Sequence, residues 1–228
     1  MNVVIADKSH IKYAEAICET IAQSAQVRGT GIAKRTPEYV AAKMENGNAV
    51  IALDGDKFAG FCYIEKWGHG KFVANSGLIV HPVYRGKGLA KKIKHKVFEH
   101  SRNKFPNAKV FSITTGLPVM KLNSDLGYKP VTFSELTDDQ TFWDGCQTCQ
   151  NYDVLTRTNR KMCLCTGMIY VPPKEEANSA SNTTTEQKNK SRWDNFQPKK
   201  PLVKRSPPLL EIQQLQSSWA AFHPLHSP

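Results

Sequence analysis

An α/β fold of the α+β type is predicted by three features of this 228-residue chain. Strand-like and helix-like periodicities alternate irregularly over residues 2–133, so strands do not each pair with a crossover helix. The pair Asp54-Gly55 joins two apolar runs, Ala49–Leu53 and Phe58–Lys66, in the manner of a hairpin turn. A glycine-rich loop, Arg85-Gly86-Lys87-Gly88, separates an apolar run that ends at Pro82 from a basic amphipathic stretch.

The elements follow in order. Asn2–Ala6 reads as a first strand. From Ile11 to Val27 the apolar residues Ala14, Ile17, Cys18, Ile21 and Ala25 recur at helical spacing, and Gly29 and Gly31 end that helix. Thr36-Pro37-Glu38 begins a second helix, with Thr36 as its cap and Pro37 in its first turn, and Gly47 stops it. After the hairpin, Trp67-Gly68-His69-Gly70 forms a turn into the strand Phe72–Val80. The helix after the glycine loop carries Leu89, Ile93, Val97, Ser101 and Phe105 on one face. Lys91, Lys92, Lys94 and Lys96 read as its solvated face. Val110–Thr115 is a strand, Leu117–Leu126 a helix closed by Gly127, and Tyr128–Phe133 is extended. Asp138–Trp143 reads as a helical turn and Cys163–Val171 as the last strand.

Residues 174–228 are rich in Ser, Asn, Thr, Gln, Lys and Pro, and are expected to form a disordered basic tail, because they have too little apolar surface to offset the entropy of ordering. The remaining domain, 1–173, has 23 basic and 15 acidic residues, a charge of +8, and the tail adds +3 to make +11. That balance suits a polyanionic ligand. No run approaches the roughly 18 apolar residues of a membrane span, and the start shows no secretory pattern, so a cytoplasmic location is expected. The folded part lacks interleaved aromatic and basic residues, which makes nucleic acid a minor option.

The glycine loop carries the strongest functional signal. The first amides of a helix have no intrahelical partners and sit at the positive end of its dipole, so a loop-to-helix junction attracts phosphate. Val80-His81-Pro82-Val83-Tyr84-Arg85-Gly86-Lys87-Gly88-Leu89-Ala90 resembles the acyl-CoA-binding motif of the GNAT superfamily of N-acyltransferases. Arg85, Gly88 and Ala90 fill the motif's Arg/Gln, Gly and Gly/Ala places. Leu126-Gly127-Tyr128 resembles a later helix-to-strand motif of that superfamily.

The resemblance implies a mixed, mostly antiparallel sheet flanked by helices, with residues 137–173 as a cysteine-bearing extension. It also implies that Arg85, Gly86, Lys87, Gly88, Leu89 and Ala90 hold the CoA pyrophosphate, while Leu78, Ile79 and Val80 pair with the pantetheine arm. Asn123 stands where the superfamily often has a tyrosine, which leaves the proton route open. Glu65 and His69 are candidate bases and Tyr128 a candidate acid, each with a structural role as the plainer reading.

Arg28, Lys34 and Arg35 fall in the connection that lines the acceptor side in this superfamily. They would either clamp a carboxylate or form a solvated basic turn. Arg28–Arg35, Trp67–Phe72 and the cysteine-bearing end also resemble a stand-alone GNAT group associated with arginine biosynthesis, the N-acylglutamate synthases. By that resemblance acetyl-CoA or succinyl-CoA is the donor and glutamate the acceptor. A protein amine, another small amine, or CoA binding without turnover are the alternatives. A homo-oligomer is left open. Cys146-x-x-Cys149 and Cys163-x-Cys165 present four thiols, read either as zinc ligands or as reduced cysteines packed under the last strand.

Overall fold

In a computed structural model, residues 1–28 and 33–173 are described, with the backbone alone at Arg28. The expected tail and residues 29–32 of the loop after the first helix lie outside the described residues.

The described residues build a seven-stranded sheet in the order β1-β2-β3-β4-β5-β7-β6. Strand β1 is Asn2–Ile5, β2 Ala49–Asp54, β3 Lys57–Trp67, β4 Phe72–Val80, β5 Lys109–Thr114, β6 Lys129–Val131 and β7 Thr166–Tyr170. Only β4 and β5 are parallel; every other neighbouring pair is antiparallel. The crossover between them is helix α3, Leu89–Lys104. This is the mixed, mostly antiparallel sheet flanked by helices that the resemblance implies.

Helices α1 (Ala14–Arg28) and α2 (Pro37–Glu45) bury Ile17, Ile21, Val40 and Met44 against Phe61 and Tyr63. The first helix begins later than the periodicity predicts. Asp7 caps Lys8–Tyr13 through Ser9 N–H at 2.9 Å, and that segment winds as a 3₁₀ turn instead. Thr36 caps α2 through Tyr39 N–H at 3.3 Å, with Pro37 in its first turn as expected. Helix α3 packs Leu89, Ile93 and Val97 with Val50, Ala52, Cys62 and Ile64 in a separate apolar cluster. Lys94 is a correction: it is 1% exposed rather than solvated.

Beyond β5 come α4 (Leu117–Asp125), α5 (Gln140–Asp144) and α6 (Tyr152–Arg157). The extension is no appendage: Phe142, Trp143 and Leu155 share one cluster with Phe111, Phe133 and Ile169 of the sheet region. Strand β7 starts at Thr166 instead of Cys163, so Cys163 and Cys165 precede it and do not share one of its faces.

A bulge bends β4. Its register with β3 slips between Phe61 and Tyr63. Gly77 takes up the distortion at φ +65°, where a Cβ would sit 2.5 Å from Tyr63 Cε1. Both the left-handed backbone and the tyrosine ring therefore require glycine there.

Candidate active site

Strands β4 and β5 pair only over Phe72–Ala74 and Lys109–Phe111. Beyond that they part, while the other edge of β5 stays paired with β7 from Val110 to Thr114. A cleft of about 500 Å³ occupies the gap, lined by Asn75–Ile79 and by Ser112–Thr114. Arg35, Tyr39, Glu65, Lys94 and the four clustered cysteines complete much of its wall.

The glycine loop joins the end of β4 to α3. Gly86 and Gly88 hold φ of +77° and +75°, and Gly88 caps the helix without a side chain. A Cβ at either position would meet nothing within 4 Å, so the backbone conformation, not crowding, selects glycine. The hydrogen bond from Lys92 N–H to Gly88 O, at 3.3 Å, is the first of the helix. The N–H groups of Leu89, Ala90 and Lys91 precede it and remain for an anion. The arrangement fits a pyrophosphate. The Arg85 guanidinium turns back instead, donating to Val80 O at 3.0 Å and Ser24 Oγ at 2.8 Å. It ties the loop to β4 and to α1.

A second group lies on the wall near α2. Arg35 Nε donates to Tyr63 OH at 2.7 Å, and one of its terminal nitrogens donates to Lys34 O at 2.8 Å. Tyr39 OH and Lys43 Nζ both donate to Glu65 Oε1, the lysine at 2.6 Å. Burial, then the neighbouring Tyr63 and Glu65, pushes the Tyr39 phenol far up, so it stays a proton donor. Lys43 thus balances Glu65, while among the described residues Arg35 forms no ion pair with a carboxylate.

A third group sits where the strands part. Asn75 Oδ1 accepts from Tyr128 OH at 3.0 Å and from Lys94 Nζ at 3.4 Å. Asn75 Nδ2 donates to Ser101 Oγ at 2.8 Å, and Ser101 in turn donates to Val97 O at 2.8 Å. Since the serine proton is committed to Val97, Ser101 must accept from Asn75, which fixes the amide with its oxygen toward Lys94. Lys94 Nζ also lies 4.8 Å from the Tyr128 ring centroid. Desolvation pulls Lys94 down to about 8. Burial, with Cys62 adding, pushes Tyr128 well above the usual phenol range.

Cys146, Cys149, Cys163 and Cys165 all line the cleft. Burial and the neighbouring thiols push Cys146 up to about 11 and Cys165 up to about 12. Among the described residues, no group of three or more His, Cys, Asp or Glu side chains is arranged to hold a metal ion.

Of the residues singled out by sequence, the cleft gathers Glu65, Lys34, Arg35, Leu78, Ile79 and the cysteines. Val80 is half-buried at the end of β4, next to the loop. His69 is exposed in a short 3₁₀ turn and does not line the cleft. Tyr128 is buried beneath Asn75 with its proton already donated, a poor position for an acid. Arg28 ends α1, and its side chain is outside the described set. Tyr39, Lys43, Tyr63 and Asn75 join the site from the structure alone, and Lys94 joins it as well. Lys94 has a signal in the sequence, since Ala90, Ile93, Lys94, Val97 and Ser101 fall on one helical stripe.

The sequence model of the acetyltransferase (GNAT) family matches residues 18–122. The fold is similar to N-acetylglutamate synthase from Neisseria gonorrhoeae complexed with coenzyme A and N-acetyl-glutamate, at 13% identity and a TM-score of 0.55, over 76% of this chain and 35% of that one. This chain therefore spans about a third of the gonococcal protein. It is also similar to Rv2747 from Mycobacterium tuberculosis in complex with CoA, at 15% identity and TM-score 0.53, over 75% of this chain and 99% of that one. The yncA protein of Salmonella typhimurium, solved with its cofactor acetyl-CoA, covers 79% of this chain and 99% of its own at 16% identity and TM-score 0.53. No curated protein matches the chain in sequence. No helix among the described residues is long and apolar enough to cross a membrane. The acetyltransferase (GNAT) family model thus falls on strands β2 to β5 of this sheet and on the glycine loop, and it is over this stretch that the chain is similar to that family.

Proposed function

We propose that the protein transfers an acetyl or succinyl group from acyl-CoA to the amino group of a small acidic amino acid, glutamate first among them. The observation that carries this reading is Arg35. It lines the cleft as a cation with no carboxylate partner among the described residues, while the nearby Glu65 is already balanced by Lys43. A guanidinium so placed suits an incoming carboxylate. The exposed Lys34 beside it adds a second cation at the same wall. Glutamate as acceptor would place the enzyme in arginine biosynthesis, acting in the cytoplasm.

The residues divide the work as follows. The amides of Leu89, Ala90 and Lys91, with the loop Arg85–Gly88, bind the donor's phosphates, and the free edge of β4 around Leu78–Val80 aligns its amide-bearing arm. The donor supplies an activated thioester carbonyl. Glu65, held by Tyr39 and Lys43 at one oxygen, takes a proton from the acceptor's ammonium. Arg35 orients the acceptor by its carboxylate.

Release of free CoA, measured for acetyl-CoA and succinyl-CoA across the amino acids, tests the assignment. Glutamate is expected to turn over, and Arg35→Gln to raise its KM roughly tenfold or more, since a hydrogen bond to a charged group contributes about 1.5–3 kcal/mol. The KM for acyl-CoA should stay close to wild type. If no acidic amino acid is turned over, the acceptor assignment falls.

A further inference from the structure

We propose that Lys94 is the acid that protonates the leaving thiol of the donor. The inference rests on reading the cleft as the acyl-transfer site, and it deepens that reading by supplying a proton route that neither His69 nor Tyr128 offers.

The position of the residue argues first. Lys94 stands in the second turn of α3 and lines the cleft, with its Nζ 3.4 Å from Asn75 Oδ1 on β4. It is 1% exposed, and among the described residues no carboxylate pairs with it. A buried lysine kept for stability would be expected to have such a partner, because an uncompensated ammonium costs several kcal/mol to desolvate.

The surroundings argue next. The titratable groups facing Lys94 are the Cys62 thiol from β3 and the Tyr128 phenol that precedes β6. Cys62 donates to Ser76 O at 3.2 Å and burial holds it protonated, up to about 11. Tyr128 donates to Asn75. From β4 comes Asn75 itself, with its oxygen turned toward the lysine by the Ser101 relay. Lys94 is thus the one group of this cluster whose proton moves near neutral pH. It carries three N–H donors and makes one long hydrogen bond within the described residues, which leaves donors for the cleft.

The step balances without another reactant. The acceptor nitrogen forms its bond to the acyl carbon, and the carbon–sulfur bond breaks with its electron pair passing to sulfur. Lys94 gives one proton from its ammonium to that sulfur and becomes a neutral amine. The proton lost by the acceptor nitrogen returns, through solvent in the cleft, to the Lys94 amine. Counted from the acceptor's ammonium, the net products are one amide, one thiol and one proton, the last released to solvent from Glu65.

The acid works only when protonated, so kcat should fall as pH rises through about 8. Lys94→Met is expected to lower kcat roughly 100-fold or more, the usual scale of general acid catalysis, and to abolish that descending limb. Binding gives a readout apart from turnover. Wild-type protein should bind CoA more tightly than desulfo-CoA, because Lys94 Nζ has the sulfur as a hydrogen-bond partner only in CoA. Lys94→Met should lose that preference while binding desulfo-CoA as before. Lys94→Arg keeps the charge but releases no proton, so it should keep the CoA preference with kcat still low. This second variant maintains the test if methionine impairs folding. An unchanged kcat and pH limb in Lys94→Met overturns the proposal, as does peptide mass analysis that finds Lys94 acylated as an obligatory intermediate. Failure of every variant and of wild type to bind desulfo-CoA would instead strike the reading of the cleft.

Discussion

The backbone N–H of Lys34 donates to Thr148 Oγ1 at 3.0 Å, across 114 positions of sequence. This bond joins the approach to α2 to the turn between Cys146 and Cys149, so the cysteine-bearing extension and the basic connection share a wall of the cleft. Thr148→Val removes the hydroxyl with little change of shape. The expected stability loss is about 1 kcal/mol or less, since the site is exposed and the freed amide finds water. The acceptor KM should rise several-fold, with the acyl-CoA KM unmoved. Steady-state kinetics with both substrates varied, beside a thermal melt, checks the split.

Ser24 lies on α1, remote in sequence from the glycine loop, yet its hydroxyl takes the Arg85 guanidinium. Ser24→Ala leaves that charge with Val80 O alone. A hydrogen bond to a charged group contributes about 1.5–3 kcal/mol, so acyl-CoA affinity is expected to fall roughly tenfold as the loop loosens. Calorimetric titration with CoA measures it. Unchanged affinity would show that Arg85 does not set the loop.

Gly77→Ala places a methyl group 2.5 Å from the Tyr63 ring and strains a φ of +65°. Overpacking costs about 1–3 kcal/mol and left-handed backbone adds about 1 kcal/mol, so a loss near 3 kcal/mol is expected in urea unfolding. Because Tyr63 also holds Arg35 at 2.7 Å, the acceptor KM should rise in parallel.

The thiols of Cys146 and Cys165, raised to about 11 and about 12 by burial, should resist alkylation at neutral pH. At that pH a thiol titrating near 11 instead of 9 has a thiolate fraction about 100-fold smaller. Native iodoacetamide labelling followed by mass spectrometry should therefore find both slow until the pH nears those values. The folded state keeps these protons where the unfolded chain has lost them. Stability thus falls as pH rises from about 9 toward about 11–12. Elemental analysis of the purified protein decides whether the four cysteines hold zinc.

Local signals make most of the fold legible. Thr36-Pro37, Asp54-Gly55 and Gly86-x-Gly88 each express a backbone demand within a few residues, and each stands where the chain turns or begins a helix. What stays hidden depends on distant partners. The insertion of β7 between β5 and β6 is a pairing that no short window contains. Helix α6 has six residues, too few for periodicity to register. Lys94 defies the ordinary link between charge and solvent, although its helical stripe already groups it with Ile93 and Val97. Arg35 and Glu65 are both legible as candidates, but the tyrosines and Lys43 that organise them come from other elements.

The early parting of β4 from β5 has a consequence for how such a protein changes over time. Past Ala74 the edge of β4 offers N–H and C=O groups to the cleft, and these are common to all residues except proline. Recognition written in main chain survives the exchange of most side chains, provided the bend at Gly77 and the split between the strands persist. Identities of 13–16% alongside a shared fold are what a slot of that kind permits. The donor end can stay constant while the proposed acceptor wall, made of side chains such as Arg35 and Tyr39, is free to be rewritten for another amine.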